Sequence, residues 1–326
     1  AQLAAIDKSY FGLFGFSGDG VIGTNTVHFK GFKEQGNSAL GDLISDAYKY
    51  VGKKYPDETA ELAGSFFASG TVKNLMHKGS ITASKLYKMF DRGISKDGLS
   101  GANLVDVYVS GAELKILAEI DASISERDEN VGLYFSGIKY KYNPHRFYRN
   151  RVSDVYINGD EEVEPRALYR LITDEKTIQL IQDADKAPFG LMDIQFKDKD
   201  GKELQSFDKQ EIENKEQSVK QWVALAKYID KKGISSSYKD AENRKVLVDD
   251  KSLGAILSNP GKIFLVTLLA AIIAISVVIL IVSIVLRALG LSRNSFYRRH
   301  RRENKQQSIF KHRKNRYKRN MKYRKK

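Results

Sequence analysis

The stretch Ile263–Leu286, IFLVTLLAAIIAISVVILIVSIVL, contains 24 consecutive residues without a charged side chain. An α-helix needs about 20 mainly apolar residues to cross the hydrocarbon core of a bilayer, so this stretch is long enough to span it. A secretory signal would be shorter and would lie near the N-terminus. A buried core helix is the alternative, but it would not require the strongly basic sequence that follows. We therefore predict a transmembrane helix over residues 262–287.

The positive charge of the chain is concentrated behind this stretch. Arg287–Lys326 holds 17 Lys and Arg residues and one acid, Glu303, so its net charge is +16. The whole chain has a formal net charge of +14, which leaves −2 for residues 1–286. Basic residues beside a membrane span are retained in the cytoplasm. We therefore expect residues 288–326 to form a cytoplasmic tail and residues 1–262 to lie on the outer side of the plasma membrane.

The tail also carries aromatic residues between its basic ones, and two kinds of partner fit this pattern. RNA would bind through phosphate contacts and base stacking. Anionic lipids would bind electrostatically, at about 1 kcal/mol per basic residue near the membrane surface. We favour the lipid bilayer, and nucleic acid is not an expected partner. The aromatic residues are Phe296, Tyr297, Phe310, Tyr317 and Tyr323.

The sequence before the apolar stretch is long enough for one sizeable domain with its own core. Residues 1–32 are rich in Gly and Phe, lack clear periodicity and begin without Met, so we interpret them as a connector or the remnant of a missing N-terminal domain. The domain itself is predicted over residues 33–232, and residues 233–261 are predicted to be a linker. The chain has no Cys, which excludes disulfides and thiolate metal sites.

Hydrophobic periodicity predicts a mixture of helices and strands in this domain. The predicted helices are Asn37–Lys53, Ser110–Ala122, Asp174–Ala184 and Glu216–Lys231. The predicted strands are Leu104–Val109, Leu133–Tyr142 with a break at Gly137, Val152–Ile157, Leu168–Thr173 and Leu191–Phe196. Ser110 and Glu113 have the spacing of a capping box, and Asn158-Gly159 is a favoured hairpin turn. Because no regular βαβ rhythm appears, we predict an α+β domain with a mixed sheet and packed helices.

Neither histidines nor acids are arranged as a metal site. The five histidines, His28, His77, His145, His300 and His312, occur in none of the usual metal-binding motifs. Asp198-Lys199-Asp200-Gly201 is similar to the opening of a calcium loop, but it lacks the third acid and the closing Glu. We interpret it as a polar hairpin tip. No metal site is expected in this chain.

One small-residue turn has a composition that suits an anion. Ser69-Gly70-Thr71 lies between the apolar pair Phe66-Phe67 and the pair Val72-Lys73. Backbone N–H groups of such a turn can point inward, and Lys73 would supply a positive charge. On spacing alone, an ordinary turn is the favoured interpretation.

Five groups of stretches follow one another in the order of a known domain. They are Gly36–Ala47 (GNSALGDLISDA), Phe66–Lys73 with Gly79–Thr82 (GSIT), Leu104–Leu114 ending in SGAEL, Leu133–Tyr140 with the sequence from Arg151 onward, and Lys220–Tyr228 (KQWVALAKY). Together they resemble the C-terminal domain of the 5′-nucleotidase and UDP-sugar hydrolase family, in its membrane-anchored bacterial type. The resemblance covers about residues 33–232.

The resemblance implies a division of labour. In this family an N-terminal metallophosphoesterase domain holds two divalent metal ions and the attacking water, and the C-terminal domain binds the nucleotide or nucleotide-sugar and rotates to deliver it. We therefore interpret this chain as the substrate-binding part of a surface-anchored phosphohydrolase of nucleotide catabolism. It would bind no cofactor and carry no catalytic residue of its own. The alternative is a catalytically silent anchored module that binds a ligand or partner.

The resemblance also indicates candidate substrate-binding residues. Lys73 falls where the family has a substrate-binding Arg. The lysine keeps the positive charge but lacks the planar guanidinium that holds two phosphate oxygens. Ser69-Gly70-Thr71 replaces three glycines of the family motif. Phe135 falls on an aromatic that stacks against the base in some members, although a core position is an equally good interpretation. Arg92 is the last residue of Met89–Arg92, the stretch that corresponds to the family's Pro-Phe-Gly-Asn turn, and is either a phosphate contact or, as we favour, an exposed loop arginine.

Overall fold

Strands and helices alternate irregularly along the chain, in the α+β arrangement that the sequence predicts. The computed structural model describes residues 9–32, 36–55, 60–126, 128–185, 194–215, 217–258, 260, 262–289, 301–311 and 313. The strands are β1 Val21–Asn25, β2 Leu62–Ala68, β3 Gly79–Thr82, β4 Leu104–Ser110, β5 Leu133–Ser136, β6 Ile138–Tyr142, β7 Val152–Ile157, β8 Glu161–Glu162, β9 Leu168–Asp174, β10 Glu213–Asn214, β11 Gln217–Ser218 and β12 Lys245–Leu247. The α-helices are α1 Ala39–Lys54, α2 Ala83–Met89, α3 Gly111–Glu119, α4 Glu175–Asp185, α5 Gln221–Lys232, α6 Leu253–Leu257 and α7 Lys262–Ala288.

Two four-stranded sheets organise the first of two structural units, Ala1–Phe264. One sheet has the strand order β4-β9-β2-β5, in which β2 and β9 run parallel and the other neighbours antiparallel. The other has the order β12-β6-β7-β8, with β12 and β6 parallel. Both sheets are therefore mixed, which confirms the predicted fold class.

Strand β2 separates two hydrophobic cores. All seven of its residues are buried. Because side chains alternate along a strand, Phe67 enters a core with helices α1, α2 and α5, whereas Phe66 enters a second core with α3, α4 and the β6–β7 strands. The end of β2 is thus held from both faces of its sheet.

Local sequence signals fix several element ends. The Ser38 hydroxyl accepts a hydrogen bond from the Gly41 backbone N–H at the start of α1. Ser110 and Glu113 form the predicted capping box at the start of α3. The predicted turn after β7 is confirmed, since Ile157 pairs with Glu161 across a three-residue loop in which Asn158 and Gly159 have φ values of 49° and 101°.

Two predicted elements differ from the structure. Helix α5 begins at Gln221 rather than at Glu216, because Gln217 and Ser218 pair with β10 as a short strand. Residues 191–193 of the predicted strand Leu191–Phe196 lie outside the described residues, and residues 194–196 do not form a strand, so the described part of this prediction is wrong. The predicted hairpin tip after it is present, with the Asp198 N–H donating to the Lys202 carbonyl at 2.9 Å.

The described part of the segment expected to be a connector, 9–32, packs into the first core. Tyr10, Phe11, Phe14 and Phe16 surround the indole of Trp222 on α5, with ring centroids 5.3 to 6.0 Å from it. The indole N–H donates to the Tyr10 hydroxyl at 3.0 Å. These contacts join residues far apart in sequence, which is why no periodicity indicated them. The folded unit therefore extends N-terminally beyond the predicted boundary at residue 33.

The described part of the predicted linker, 233–261, also contributes to the folded unit. Its strand β12 adds Lys245, whose ammonium lies 2.6 Å from the buried Asp121 carboxylate. The neighbouring Arg244 guanidinium bonds Asp46 at 2.8 Å and lies 3.5 Å from Asp42. Burial raises the pKa of Asp42 to about 6, although Arg244 opposes that rise. Two cations in a polar segment thus dock it onto α1 and the sheet.

Helix α7 is long and apolar enough to cross a bilayer by length and composition. None of the side chains in Leu265–Ala288 is buried within the protein. It is the one such helix among the described residues. Of the basic tail, residues 301–311 are helical.

Candidate functional site

The predicted turn Ser69–Thr71 follows directly from β2 as a short 3₁₀ helix. The Ser69 N–H donates to the Gly132 carbonyl at 2.8 Å, and the Thr71 hydroxyl donates to the Ala68 carbonyl at 2.9 Å. Gly70 is required sterically, because a Cβ there would lie 2.7 Å from the Asn130 carbonyl oxygen. The turn is therefore packed tightly against residues 129–132.

Most of the backbone N–H groups around the turn donate within the protein. The Val72 N–H donates to the Ser69 carbonyl at 3.0 Å. The N–H groups of Lys73 and Asn74 donate to the Met89 carbonyl at 2.6 and 3.2 Å. These groups do not point toward a shared anion, so this arrangement differs from the cradle considered on sequence grounds.

Lys73 provides a cation at the surface of the turn. Its side chain is 51% exposed, and its ammonium lies 4.0 Å from the Asp91 carboxylate. The same ammonium donates to the Gly70 carbonyl at 2.6 Å. An ion pair this exposed and this long contributes little to stability, so Lys73 can exchange Asp91 for an anionic ligand at small cost.

A cleft of about 640 Å³ lies beside this turn, a volume suited to a ligand of nucleotide size. It brings together three segments that are remote in sequence. Its lining residues are His28, Phe29, Lys30, Gly31, Phe32, Ser69, Val72, Lys73, Leu75, Glu129 and Asn130. Two of the six predicted site residues, Ser69 and Lys73, therefore line one cleft.

The cleft combines basic side chains with an aromatic wall. His28, Lys30 and Lys73 are exposed, and Glu129 is the acid among the lining residues. The Phe32 ring packs against Tyr134 with centroids 4.9 Å apart, so one face of the wall is fixed by the core. Basic groups suit phosphate oxygens, and an aromatic face suits a base. Residues 28–32 were missed by sequence reasoning, because they lie in the segment interpreted as a connector.

Phe135 does not line this cleft. Its side chain is 2% exposed in the second core, with its ring 6.1 Å from both Phe66 and Tyr140. Its neighbour Tyr134 points the other way, toward Phe32 and the cleft-side core. The core interpretation of Phe135 therefore describes its position, and the base-stacking interpretation does not.

Arg92 lies near the turn along the backbone but is not a lining residue of the cleft. The Asp91 N–H donates to the Thr71 carbonyl at 2.9 Å, which holds the loop beside the turn. Arg92 itself is exposed, and its carbonyl accepts from the Ser100 hydroxyl at 2.9 Å. This placement agrees with an exposed loop arginine.

One group of described residues has the spacing of metal ligands. Carboxylate oxygens of Glu175, Asp208 and Glu211 lie within 4.8 Å of one another. Asp208 is also bonded to the Lys96 ammonium at 2.7 Å. The group consists of carboxylates alone, and one of them is already paired with a lysine.

Comparisons with known proteins agree with the fold. Residues 21–177 match the family model described as 5′-nucleotidase, C-terminal domain, so this part of the chain is similar to that domain. The chain is similar to a 5′-nucleotidase precursor from Thermus thermophilus, with a TM-score of 0.50 and 18% identity over 76% of this chain and 42% of that one. At this identity the likeness concerns the fold alone.

Two further solved structures are similar more distantly. The NAD nucleotidase of Haemophilus influenzae has a TM-score of 0.44 and 12% identity, over 71% of this chain and 39% of that one. The sulfate thiohydrolase of Thermus thermophilus has a TM-score of 0.42 and 15% identity, over 71% of this chain and 34% of that one. The chain thus spans about two fifths or less of these structures. Comparison with curated proteins gave no match.

Proposed function

We propose that this chain is the substrate-binding part of a surface-anchored 5′-nucleotidase-like phosphohydrolase that acts in nucleotide catabolism. The observation that carries this proposal is the cleft lined by Lys30, Phe32 and Lys73, in a part of the chain that matches the 5′-nucleotidase C-terminal domain model. The lysines would attract the phosphates of a nucleotide or nucleotide-sugar. The aromatic wall would contact its base.

The hydrolytic step would take place on a second domain. The divalent dimetal site and the attacking water would lie on an N-terminal metallophosphoesterase domain, as the family resemblance implies. The role of this chain would be to bind and orient the substrate. Its contribution would be positional, since holding a phosphoryl group in line with a nucleophile lowers the barrier by itself.

The apolar helix would fix this activity at a plasma membrane. The length and composition of α7 support a single span, and the +16 tail supports a cytoplasmic C-terminus beside anionic lipids. The folded unit with its cleft would then face the extracytoplasmic side. Substrates would be nucleotides present outside the cell.

A specific observation also favours the second hypothesis, a catalytically silent binding module. The N–H groups of Val72, Lys73 and Asn74 are bonded within the protein, and Phe135 is buried. A pocket with fewer phosphate donors and without this stacking residue would bind a ligand without supporting turnover. The two hypotheses therefore differ in catalysis rather than in binding.

Substitution of Lys73 tests both hypotheses. In the full-length protein we expect Lys73→Ala to raise KM for AMP about fivefold, the effect of losing about 1 kcal/mol from a solvent-exposed ionic contact. Lys85→Ala is the matched control, because the Lys85 ammonium also donates to a backbone carbonyl, that of Ser80, at 2.6 Å. Unchanged kinetics in Lys73→Ala would remove Lys73 from the site.

Calorimetric titration of this chain with AMP and with inorganic phosphate separates the hypotheses. Binding without hydrolysis by the full-length protein would support the silent module. Binding together with metal-dependent hydrolysis would support the phosphohydrolase. A folded chain that binds neither AMP nor phosphate would overturn both.

A further inference from the structure

Large apolar side chains are unevenly distributed on the surface of the first unit. Among its described residues, nine large apolar side chains are exposed, and five of them come from residue 147 and residues 247–257. We call these five the apolar patch: Phe147, Leu247, Val248, Leu253 and Leu257. Exposed apolar residues that cluster in this way indicate an interaction surface.

Hydrogen bonds join the two segments that carry the patch. The Asn143 side-chain amide donates to the Asp250 carbonyl at 2.7 Å. The His145 imidazole lies 2.6 Å from the Asp249 carboxylate. The Arg146 guanidinium donates to the Ser258 carbonyl. The loop 143–150 and the segment 249–258 therefore form one surface.

The composition of the loop suits the boundary layer of a bilayer. Residues 141–151 contain five basic residues and no acid. Arg146 is buried and Arg151 pairs with Glu126, so the basic side chains that reach the surface of the loop are Lys141, His145 and Arg149. Arg149 lies over the Tyr148 ring at 5.5 Å, so a cation and an amphipathic aromatic stand side by side. Aromatic residues are enriched at the level of lipid headgroups, and basic residues pair with headgroup phosphates.

The chain itself keeps this surface close to the proposed membrane span. Leu265, where the apolar window of α7 begins, is seven residues after Ser258. Seven residues reach at most about 25 Å when fully extended. The stretch of chain between Ser258 and the proposed span is therefore short, and the hydrogen bond from Arg146 to Ser258 joins the loop of Phe147 to the start of that stretch.

From these observations we propose that the apolar patch docks on the headgroup layer of the bilayer, with Phe147 and Leu257 inserted among the lipids. This inference rests on the proposed membrane anchoring by α7 and goes beyond it, since a span alone would leave the folded unit tethered in water. The folded unit would be held in one orientation rather than rotating on its tether. Its partner is the lipid phosphate and upper acyl region.

The absence of Cys from the chain allows a direct test with single labelled positions. Phe147→Cys carries an environment-sensitive fluorophore in the full chain, reconstituted in vesicles that contain a lipid with a headgroup nitroxide quencher. Leu13→Cys is the matched control, since Leu13 is 46% exposed and Phe147 is 48% exposed.

We expect at least twofold stronger lipid quenching at position 147 than at position 13. His145→Ala and Asn143→Ala remove hydrogen bonds between the loop 143–150 and the segment 249–258, so they should reduce the quenching at 147. The emission of Trp222 verifies folding in every variant. Equal quenching at both positions, strong or weak, overturns the docking. A label at 147 that is shielded from water but not quenched by lipid indicates a protein partner, such as a second copy, and also overturns it.

Extraction at alkaline pH shows whether a negative result concerns the docking of the apolar patch or the membrane anchoring by α7. If the full chain stays with the vesicles and position 147 behaves like position 13, anchoring stands and docking is wrong. If alkaline extraction releases the chain, the span is wrong and the docking inference falls with it.

Discussion

Replacement of Arg244 by methionine should strongly destabilise the folded unit in a pH-dependent way. The Arg244 side chain is 11% exposed and pairs with Asp42 and Asp46, whose side chains are 4% and 19% exposed. It also donates to the Phe135 carbonyl at 2.6 Å. Removing one partner from a buried ion pair costs about 3–5 kcal/mol, because the remaining charge is left without compensation. The pair with Glu242 adds little, since Glu242 is 64% exposed.

The pH dependence follows from the pKa of Asp42. Burial raises this pKa to about 6, and Arg244 opposes the rise, so the variant should have a still higher pKa. A carboxyl with a raised pKa binds more protons in the folded state, so stability from this group falls as pH rises from about 4 through 6. The loss in Arg244→Met should therefore be largest at pH 8 and smaller at pH 5, where Asp42 is mainly protonated.

The measurement is thermal unfolding of the full chain in detergent micelles at pH 5 and pH 8. Trp222 is the single tryptophan and is buried, so its emission reports unfolding of the first unit. A loss of 3–5 kcal/mol corresponds to a fall in Tm of about 6–20 °C for a unit of this size. Asp42→Asn in the Arg244→Met background should recover part of it. Lys96→Met is the control, because Lys96 and Asp208 form an exposed pair and its loss should cost under about 1 kcal/mol.

The reasoning about Arg244 would be refuted by a loss below about 1 kcal/mol at pH 8. It would also be refuted by equal losses at both pH values, because buried carboxylate charge would then not be the cause. A second substitution that fails to recover stability would place the effect in the Phe135 contact instead.

Two further predictions concern the turn and the aromatic cluster. Gly70→Ala should lower stability by about 1–3 kcal/mol, because its Cβ would meet the Asn130 carbonyl oxygen at 2.7 Å. Gly254→Ala, where a Cβ meets no atom within 4 Å, should leave the melting temperature nearly unchanged, and similar shifts for the two would contradict the packing described for the turn. Tyr10→Phe should cost about 1–2 kcal/mol in urea unfolding, because the Trp222 indole N–H loses its acceptor. An unaltered urea midpoint would show that water replaces this hydroxyl.

Sequence reasoning predicted the elements whose cause is local. The Ser110 and Glu113 side chains satisfy backbone groups within one helical turn, and Asn158-Gly159 needs only its own φ values to form a hairpin. These features depend on residues within a few positions, so a pattern displays them. The α+β class followed from the same local signals.

The features that sequence reasoning missed depend on distant residues. The aromatic side chains around Trp222 come from a segment more than 200 residues earlier, so their spacing shows no period. Arg244 and Lys245 lie in a polar stretch and resemble solvated residues until Asp46 and Asp121 are placed beside them. Both faces of β5 are buried, so alternation could not indicate which face Phe135 occupies. The prediction of the cleft was incomplete for the same reason, since residues 28–32 come to line it only when the unit folds.

The burial of β2 on both faces limits how the cleft can evolve. A change in Phe66 or Phe67 disturbs one core or the other, and the position of Ser69–Thr71 depends on both. New ligand preferences are therefore more accessible through His28, Lys30 and residues 129–130, whose side chains are exposed and can vary without altering either core. In divergent homologues, the side-chain volumes along β2 should be nearly constant, and these exposed cleft residues should vary most.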